Sequence, residues 1–262
     1  FRWANDGDVN SMDPYARNET FLLTFTQNIY DPLIRRESKL RLEPALATEW
    51  SQPSPTVWRF KLRANVRFHD GSPFTADDVV FSFARATGGG SNIKGYFGSV
   101  KAARKIDDLT VEFETNGPNP IFPEEITGWG MMSKAWSEKN GATSAADLTK
   151  REENFATRNA NGTGPFMLKS REPDVKTVLV PNPNWWDKPQ HNLTEVTFFR
   201  IGNDATRVAA LLSGEVDFVY TVPPQDMPRI GGTQGLKLVQ GPELRTIYLG
   251  FDQDRAELQE SS

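Results

Sequence analysis

The chain has 262 residues, 37% of them hydrophobic, and its seven Trp and seventeen Phe supply core area for one large domain or two small ones, which excludes a disordered tail. Its formal charge of -4 comes from 34 acids and 30 bases spread along the chain, so there is no basic stripe for a nucleic acid backbone. The absence of cysteine removes thiol catalysis, disulfides and thiolate metal sites, and no apolar run approaches the roughly 18 to 20 residues that cross a bilayer.

The opening FRWANDGDVN lacks the charged and apolar regions of an export signal, and Phe1 is not an initiator methionine, which leaves room for a signal or lipid anchor removed from the chain. From Thr56 onward, Trp58, Phe60 and Leu62 alternate with Arg59, Lys61 and Arg63, the period of a strand with one wet face. The stretch FHDGSPFTADDVVFSFARA, residues 68 to 86, follows. Within it DGSP has turn chemistry, and Thr75 with Asp78 three residues later makes a capping box for the helix ADDVVFSFARA. Phe74 and Val79 form the matching hydrophobic staple, and Asp77 and Asp78 fall in the first turn, where negative charge suits the helix dipole. GGGS at 88 to 91 reads as a loop, and Leu109, Val111 and Phe113 in LTVEFET repeat the strand period.

Between Gly128 and Asn161 the apolar pattern weakens, and SAADLTKREENFATRNANG reads as a polar helix running into a turn-rich connection, with a boundary near residue 162. Beyond it, EVTFFRI, NDATRVAALLSGE and VDFVY predict a βαβ unit. Asn203 or Asp204 caps its helix, Val208, Leu211 and Leu212 form the apolar stripe, and Gly214 sits where a left-handed cap belongs. The two strands are expected to be parallel, with a right-handed crossover. GLKLVQG and TIYLGFD are predicted as further strands.

His69 beside Asp70, with Asp77 or Asp78 as a partner, has the residue types of an acid-base site. The scaffold reading accounts for more, since neighbours in a strand point to opposite faces and both later acids have work at the helix start. The pair Glu124 and Glu125 lacks the opposed geometry of glycoside cleavage. GTG at 162 to 164 is too short for a nucleotide fingerprint, and His69 and His191 are too isolated for a metal site, so no cofactor and no metal is expected.

The stretches LEPALATEW at 42 to 50 and VWRFKLRANVRFHDGSPFTADDVVFSF after it resemble the signature of the family 5 extracellular solute-binding proteins of ABC importers, the dipeptide, oligopeptide and nickel group. MDPY at 12, IYDPL at 29, GTGPF at 162, NPNWW at 182, SGEVD at 213 and IYLGFD at 247 follow the same family order. The resemblance implies an α/β protein with the periplasmic-binding-protein-like fold of type II, cluster C. Such proteins have two lobes that close around a solute. It further implies that residues 1–30 and 163–262 form a sheet subdomain next to the hinge, with a mixed sheet and the βαβ unit. Residues 31–162 would form an extra α+β subdomain. Family members are about twice as long, so this chain resembles a first lobe, with the second lobe absent.

By the same resemblance the protein is expected to be no enzyme, but a monomer that captures a peptide or other small polar solute and hands it to ABC permease subunits. Its location would be the periplasm or the outer face of the cytoplasmic membrane. In the family's peptide binders the segment after the MDPY-like motif lines the cleft, which carries over to Asn18, Glu19, Thr20 and Phe21. The same polar residues also suit a helix cap, and Phe21 a core position. Tyr96 and, in the loop TGWGMMSK, Trp129 and Met131 are further ligand-binding candidates, although an aromatic among glycines also makes a packed plug. Two rival classes remain open from the residues: an α/β hydrolase-like enzyme using His69 and Asp70, and a stand-alone carbohydrate-binding module.

Overall fold

The structure, a computed structural model, describes residues 1–241 and 249–250, so the strand expected over TIYLGFD lies, apart from Leu249 and Gly250, outside the described residues. In chain order it begins with β1 (Arg2–Asn5), α1 (Thr20–Thr26), β2 (Ile34–Arg36), β3 (Leu42–Pro44), β4 (Ala47–Ser54), β5 (Val57–Leu62) and α2 (Ala76–Thr87). There follow β6 (Val100–Asp107), β7 (Thr110–Thr115), α3 (Phe122–Glu125), α4 (Lys134–Lys139) and α5 (Phe155–Arg158). The last elements are β8 (Phe166–Glu172), β9 (Lys176–Pro181), β10 (Val196–Arg200), α6 (Asp204–Leu212), β11 (Phe218–Val219) and α7 (Met227–Gly231). Residues 1–221 make one compact unit and residues 222–262 a second.

In the first unit, β4, β5, β7 and β6 form an antiparallel sheet in that order. The predicted alternation is what builds it. Trp58, Phe60 and Leu62 of β5 and Val111 and Phe113 of β7 turn inward, while Arg59 pairs with Glu112 and Lys61 with Glu49 on the wet face. The inner face is aromatic: Phe60 meets Phe113 edge-on at 5.6 Å, and Phe113 packs on Phe122 at 5.2 Å.

Helix α2 covers this sheet and starts as its sequence dictates. The capping box forms, with one Asp78 oxygen accepting from the Thr75 amide at 2.9 Å. Its other oxygen accepts from the Lys134 amide, also at 2.9 Å, which ties the start of α2 to that of α4. Burial raises the Asp78 pKa, and these hydrogen bonds counter the rise. Phe74 and Val79, the staple pair, are both buried.

The second sheet is mixed, in the order β11-β1-β10-β9-β8. Strand β1 runs parallel to both β10 and β11, whereas β9 is antiparallel to β10 and to β8. The two strands of the βαβ unit are therefore parallel as expected, but they are not neighbours, because the start of the chain lies between them. Trp3 fills that position, edge-on to Phe198 at 5.1 Å and stacked on Phe25 at 5.9 Å. Asn203 caps α6 by accepting from the Thr206 amide at 2.9 Å, and Gly214 takes φ +76° just past its end.

Two expectations are corrected. The polar stretch at 144–162 is not one helix but a 3-10 turn at Leu148–Lys150 and the four residues of α5. Side chains explain the break, since Asp147 accepts from the Thr149 amide and Asn154 from the Thr157 amide, each starting a fresh turn. GLKLVQG, in the second unit, is not a strand: after α7 residues 236–241 have no regular structure, and Val239 is 77% exposed. Alternation alone gives no strand when no partner edge meets it.

Candidate functional site

The MDPY motif is tied down almost group by group. The Met12 amide donates to the Thr157 carbonyl at 3.0 Å. The Asp13 carboxylate takes both arms of the Arg85 guanidinium, at 2.8 and 2.6 Å, and both side chains are fully buried. Arg85 also donates to the carbonyls of Ala142 and Ser144 and lies over the Tyr15 ring, 5.2 Å from its centroid. Burial disfavours its charge, and the Asp13 carboxylate more than compensates, so its pKa stands above the ordinary value. The Tyr15 hydroxyl donates to the Gly130 carbonyl at 2.7 Å, and burial pushes its pKa up. Asn92 completes the set, its amide donating to the Tyr15 carbonyl at 2.9 Å and its side chain to the Ala16 carbonyl at 2.8 Å.

One residue later the character changes. Asn18, Glu19 and Thr20 are exposed and Phe21 is half-buried, with its ring 5.6 Å from Phe198. Glu19 is extended, at φ -120° and ψ 133°, and it precedes α1 without capping it through its side chain. The amides from Arg17 to Leu22 find no acceptor among the described residues. Of the other predicted residues, Tyr96 joins this segment, donating its hydroxyl to Asn18 Oδ1 at 2.9 Å. Arg17 and Glu19 pair loosely at 3.3 Å.

Trp129 and Met131 do not join it. Both are completely buried, with Trp129 edge-on to Phe97 at 4.8 Å, so the plug reading replaces the ligand-contact one. Their loop serves the frame: the Met131 amide donates to the Asp31 carbonyl, and a side chain at Gly130 would meet Tyr30 Cβ at 2.6 Å.

Three family-like motifs meet at a second carboxylate, Asp31 of IYDPL. Its Oδ2 accepts from Trp186 at 2.7 Å, from Thr163 at 3.0 Å and from Trp185 at 3.3 Å, which brings NPNWW and GTGPF onto one atom. Burial raises its pKa, opposed by those three donors. The glycines of GTGPF let the chains touch, because a Cβ at Gly162 would lie 1.9 Å from the Ile29 oxygen.

His69 belongs to the same junction. The Gly162 amide donates to Nδ1 at 3.2 Å, which leaves Nε2 to carry the proton and donate to the Gly164 carbonyl at 3.1 Å. Burial lowers its pKa to about 4. Asp70 accepts from Ser72 and does not touch the ring, so the hydrolase-like alternative lacks an available base. His191 stacks on Phe166 at 4.9 Å, and Glu124 and Glu125 are taken by Arg36 and Asn119.

Sequence reasoning passed over Arg85, Asn92 and Asp31. Arg85 gave a signal, since it falls on the same stripe of α2 as Asp78 and Ser82, and a charge on a buried stripe asks for a partner. Asn92, in a loop, gave none.

The family model for bacterial extracellular solute-binding proteins, family 5, matches residues 41–261. Among curated proteins the chain is 24% identical to the periplasmic murein peptide-binding protein of Escherichia coli K12, over 92% of this chain and 47% of that one. It is 27% identical to a probable D,D-dipeptide-binding periplasmic protein of the same organism, over 97% and 49%. Among solved structures it is similar to an ABC transporter-associated periplasmic binding protein from Helicobacter pylori in complex with the peptide STSA. That match has a TM-score of 0.76 and 28% identity, covering 89% of this chain and 48% of that one. The fold is also that of NikZ from Campylobacter jejuni in complex with Ni(L-His), with a TM-score of 0.77 and 20% identity over 89% and 45%. The chain thus spans about half the length of the relatives it matches.

Proposed function

The chain belongs to the bacterial extracellular solute-binding proteins of family 5, and we propose that it supplies one wall of a cleft that captures peptides or similar small polar solutes for an ABC importer. A second lobe closes the cleft, and the loaded protein docks on the membrane permease as a monomer, in the periplasm or at the outer face of the cytoplasmic membrane. No chemistry is done on the solute. Residues 1–30 with 163–262 serve as the sheet subdomain beside the hinge, and 31–162 as an extra subdomain that braces it.

The observation that carries this reading is the change at Ala16. From Met12 to Ala16 the main chain and side chains are tied to the frame, whereas from Arg17 through the extended Glu19 the amides are unbonded among the described residues. Free main chain in an extended form can pair with a peptide backbone whatever its side chains, the mode of strand addition. Asn18, Glu19, Thr20, Phe21 and Tyr96 are then the contact residues. Native mass spectrometry of the whole protein, purified gently from its host, tests the reading. A retained peptide or other small polar solute is expected, and a protein that carries no solute and binds none from a peptide library counts against it.

A further inference from the structure

The Gly-rich turn GGGS has no part in the function so far, although its form is not that of a flexible linker. Gly90 sits at φ +78°, and a Cβ there would lie 2.1 Å from the Ala145 oxygen, so the turn is pressed against a neighbouring backbone where only glycine fits. Ser91 and Ile93 are buried just after it, and the Ser91 hydroxyl accepts from the Ile93 amide at 3.3 Å. The 3-10 turn Lys94–Phe97 then ends on Phe97, packed against Trp129.

Two residues of this fixed stretch point the other way. Asn92 holds the Tyr15 carbonyl with its main-chain amide and the Ala16 carbonyl with its side chain, and Tyr96 holds the Asn18 side chain. Residues 90–97 thus form a bracket, anchored at Gly90 and Phe97, that grips the main chain before Arg17 and the Asn18 side chain after it. Asn92 is itself exposed, so its two hydrogen bonds are not required to fill a core.

We infer that the Asn92 side chain is a positioning group for solute binding: by donating to the Ala16 carbonyl, next to the bond from its main-chain amide to the Tyr15 carbonyl, it sets the direction in which the stretch Arg17–Glu19 leaves the frame for α1. This rests on the reading of that stretch as the wall of the cleft. A preformed wall spares the solute the ordering of the protein, and that ordering lowers affinity wherever binding must supply it.

The test uses the whole protein and the tetrapeptide Ser-Thr-Ser-Ala as probe, by calorimetry. Asn92→Ala should weaken binding about tenfold, some 1.4 kcal/mol, with a melting temperature within about 3 °C of the wild type. Asn92→Asp separates positioning from general loosening. At pH 7 its carboxylate opposes the Ala16 carbonyl and binding should be weak, whereas toward pH 4 the protonated acid donates again and affinity should approach the wild type measured at the same pH. Wild-type affinity in Asn92→Ala, or an Asn92→Asp deficit that is the same at both pH values, overturns the inference. If the wild type does not bind this probe, the same comparison is made with the tightest binder from a peptide library, and a wild type that binds no member overturns the peptide reading together with this one.

Discussion

The turn and helix start at 69–78 and the segment at 17–21 are equally polar in sequence, yet one has spent its polar groups and the other has not. In the first, both His69 nitrogens, the Asp70 carboxylate and both Asp78 oxygens are engaged within the fold. In the second, an extended main chain ends in an uncapped helix start with its amides unbonded among the described residues. Residue type therefore does not separate scaffold from candidate site here. What separates them is whether the donors and acceptors are already satisfied, because only an unsatisfied group gains by meeting a solute.

The hardest blow to the engaged side is Asp13→Ala, which leaves the Arg85 guanidinium buried without its carboxylate. A loss of about 3 to 5 kcal/mol is expected, read as a lower denaturation midpoint. A stability loss of under about 1 kcal/mol would mean that the pair does not anchor the MDPY segment.

Acid should act on the engaged side next. His69 has a folded pKa of about 4, below its ordinary 6.5, so the unfolded chain takes up the proton first. The stabilisation is whole above about pH 6.5 and is lost as pH falls toward 4, by about 1 to 3 kcal/mol. Stability curves at several pH values, compared between wild type and His69→Gln, isolate it. The variant should be less stable at pH 7 and should lose less on acidification.

Thr20→Pro strikes only the unspent side. Thr20 is the first residue of α1, where proline is tolerated, and Glu19 before it is already extended as a following proline requires. The fold should survive while one free amide disappears. In the whole protein, solute affinity should drop at least about tenfold, some 1.4 kcal/mol, with little change in melting. Unchanged affinity in this variant removes the segment from the cleft.

The smallest effect is that of Thr75→Ala, expected to cost about 1 kcal/mol of stability through the capping box. Solute affinity should stay within about threefold. A larger affinity loss with unchanged melting would put the 69–78 stretch back among the functional regions.

Much of this molecule was legible in the linear sequence because the causes were local. Alternation in VWRFKL and TVEFET fixed which faces are wet, Thr75 with Asp78 fixed a helix start, and Asn203 with Gly214 fixed the limits of another. The family-like motifs were visible for a similar reason, as short strings whose residues keep their order. Their meeting point was not. That IYDPL, GTGPF and NPNWW converge on one oxygen of Asp31 depends on contacts across more than a hundred residues of chain, which no local pattern encodes.

The sequence by itself thus determined the elements with strong local signatures, β5, α2, β7 and the βαβ unit, together with their wet and dry faces and the family, since these follow from neighbours within a turn or a strand. Only the tertiary structure decided that β1 enters between β10 and β11, that Trp129 and Met131 belong to the core, and that Asn18 meets Tyr96. The physical reason is that burial and hydrogen-bond satisfaction are properties of the packed chain. A tryptophan between glycines reads the same whether it faces Phe97 or a solute, and an amide reads the same whether or not an acceptor has been brought to it.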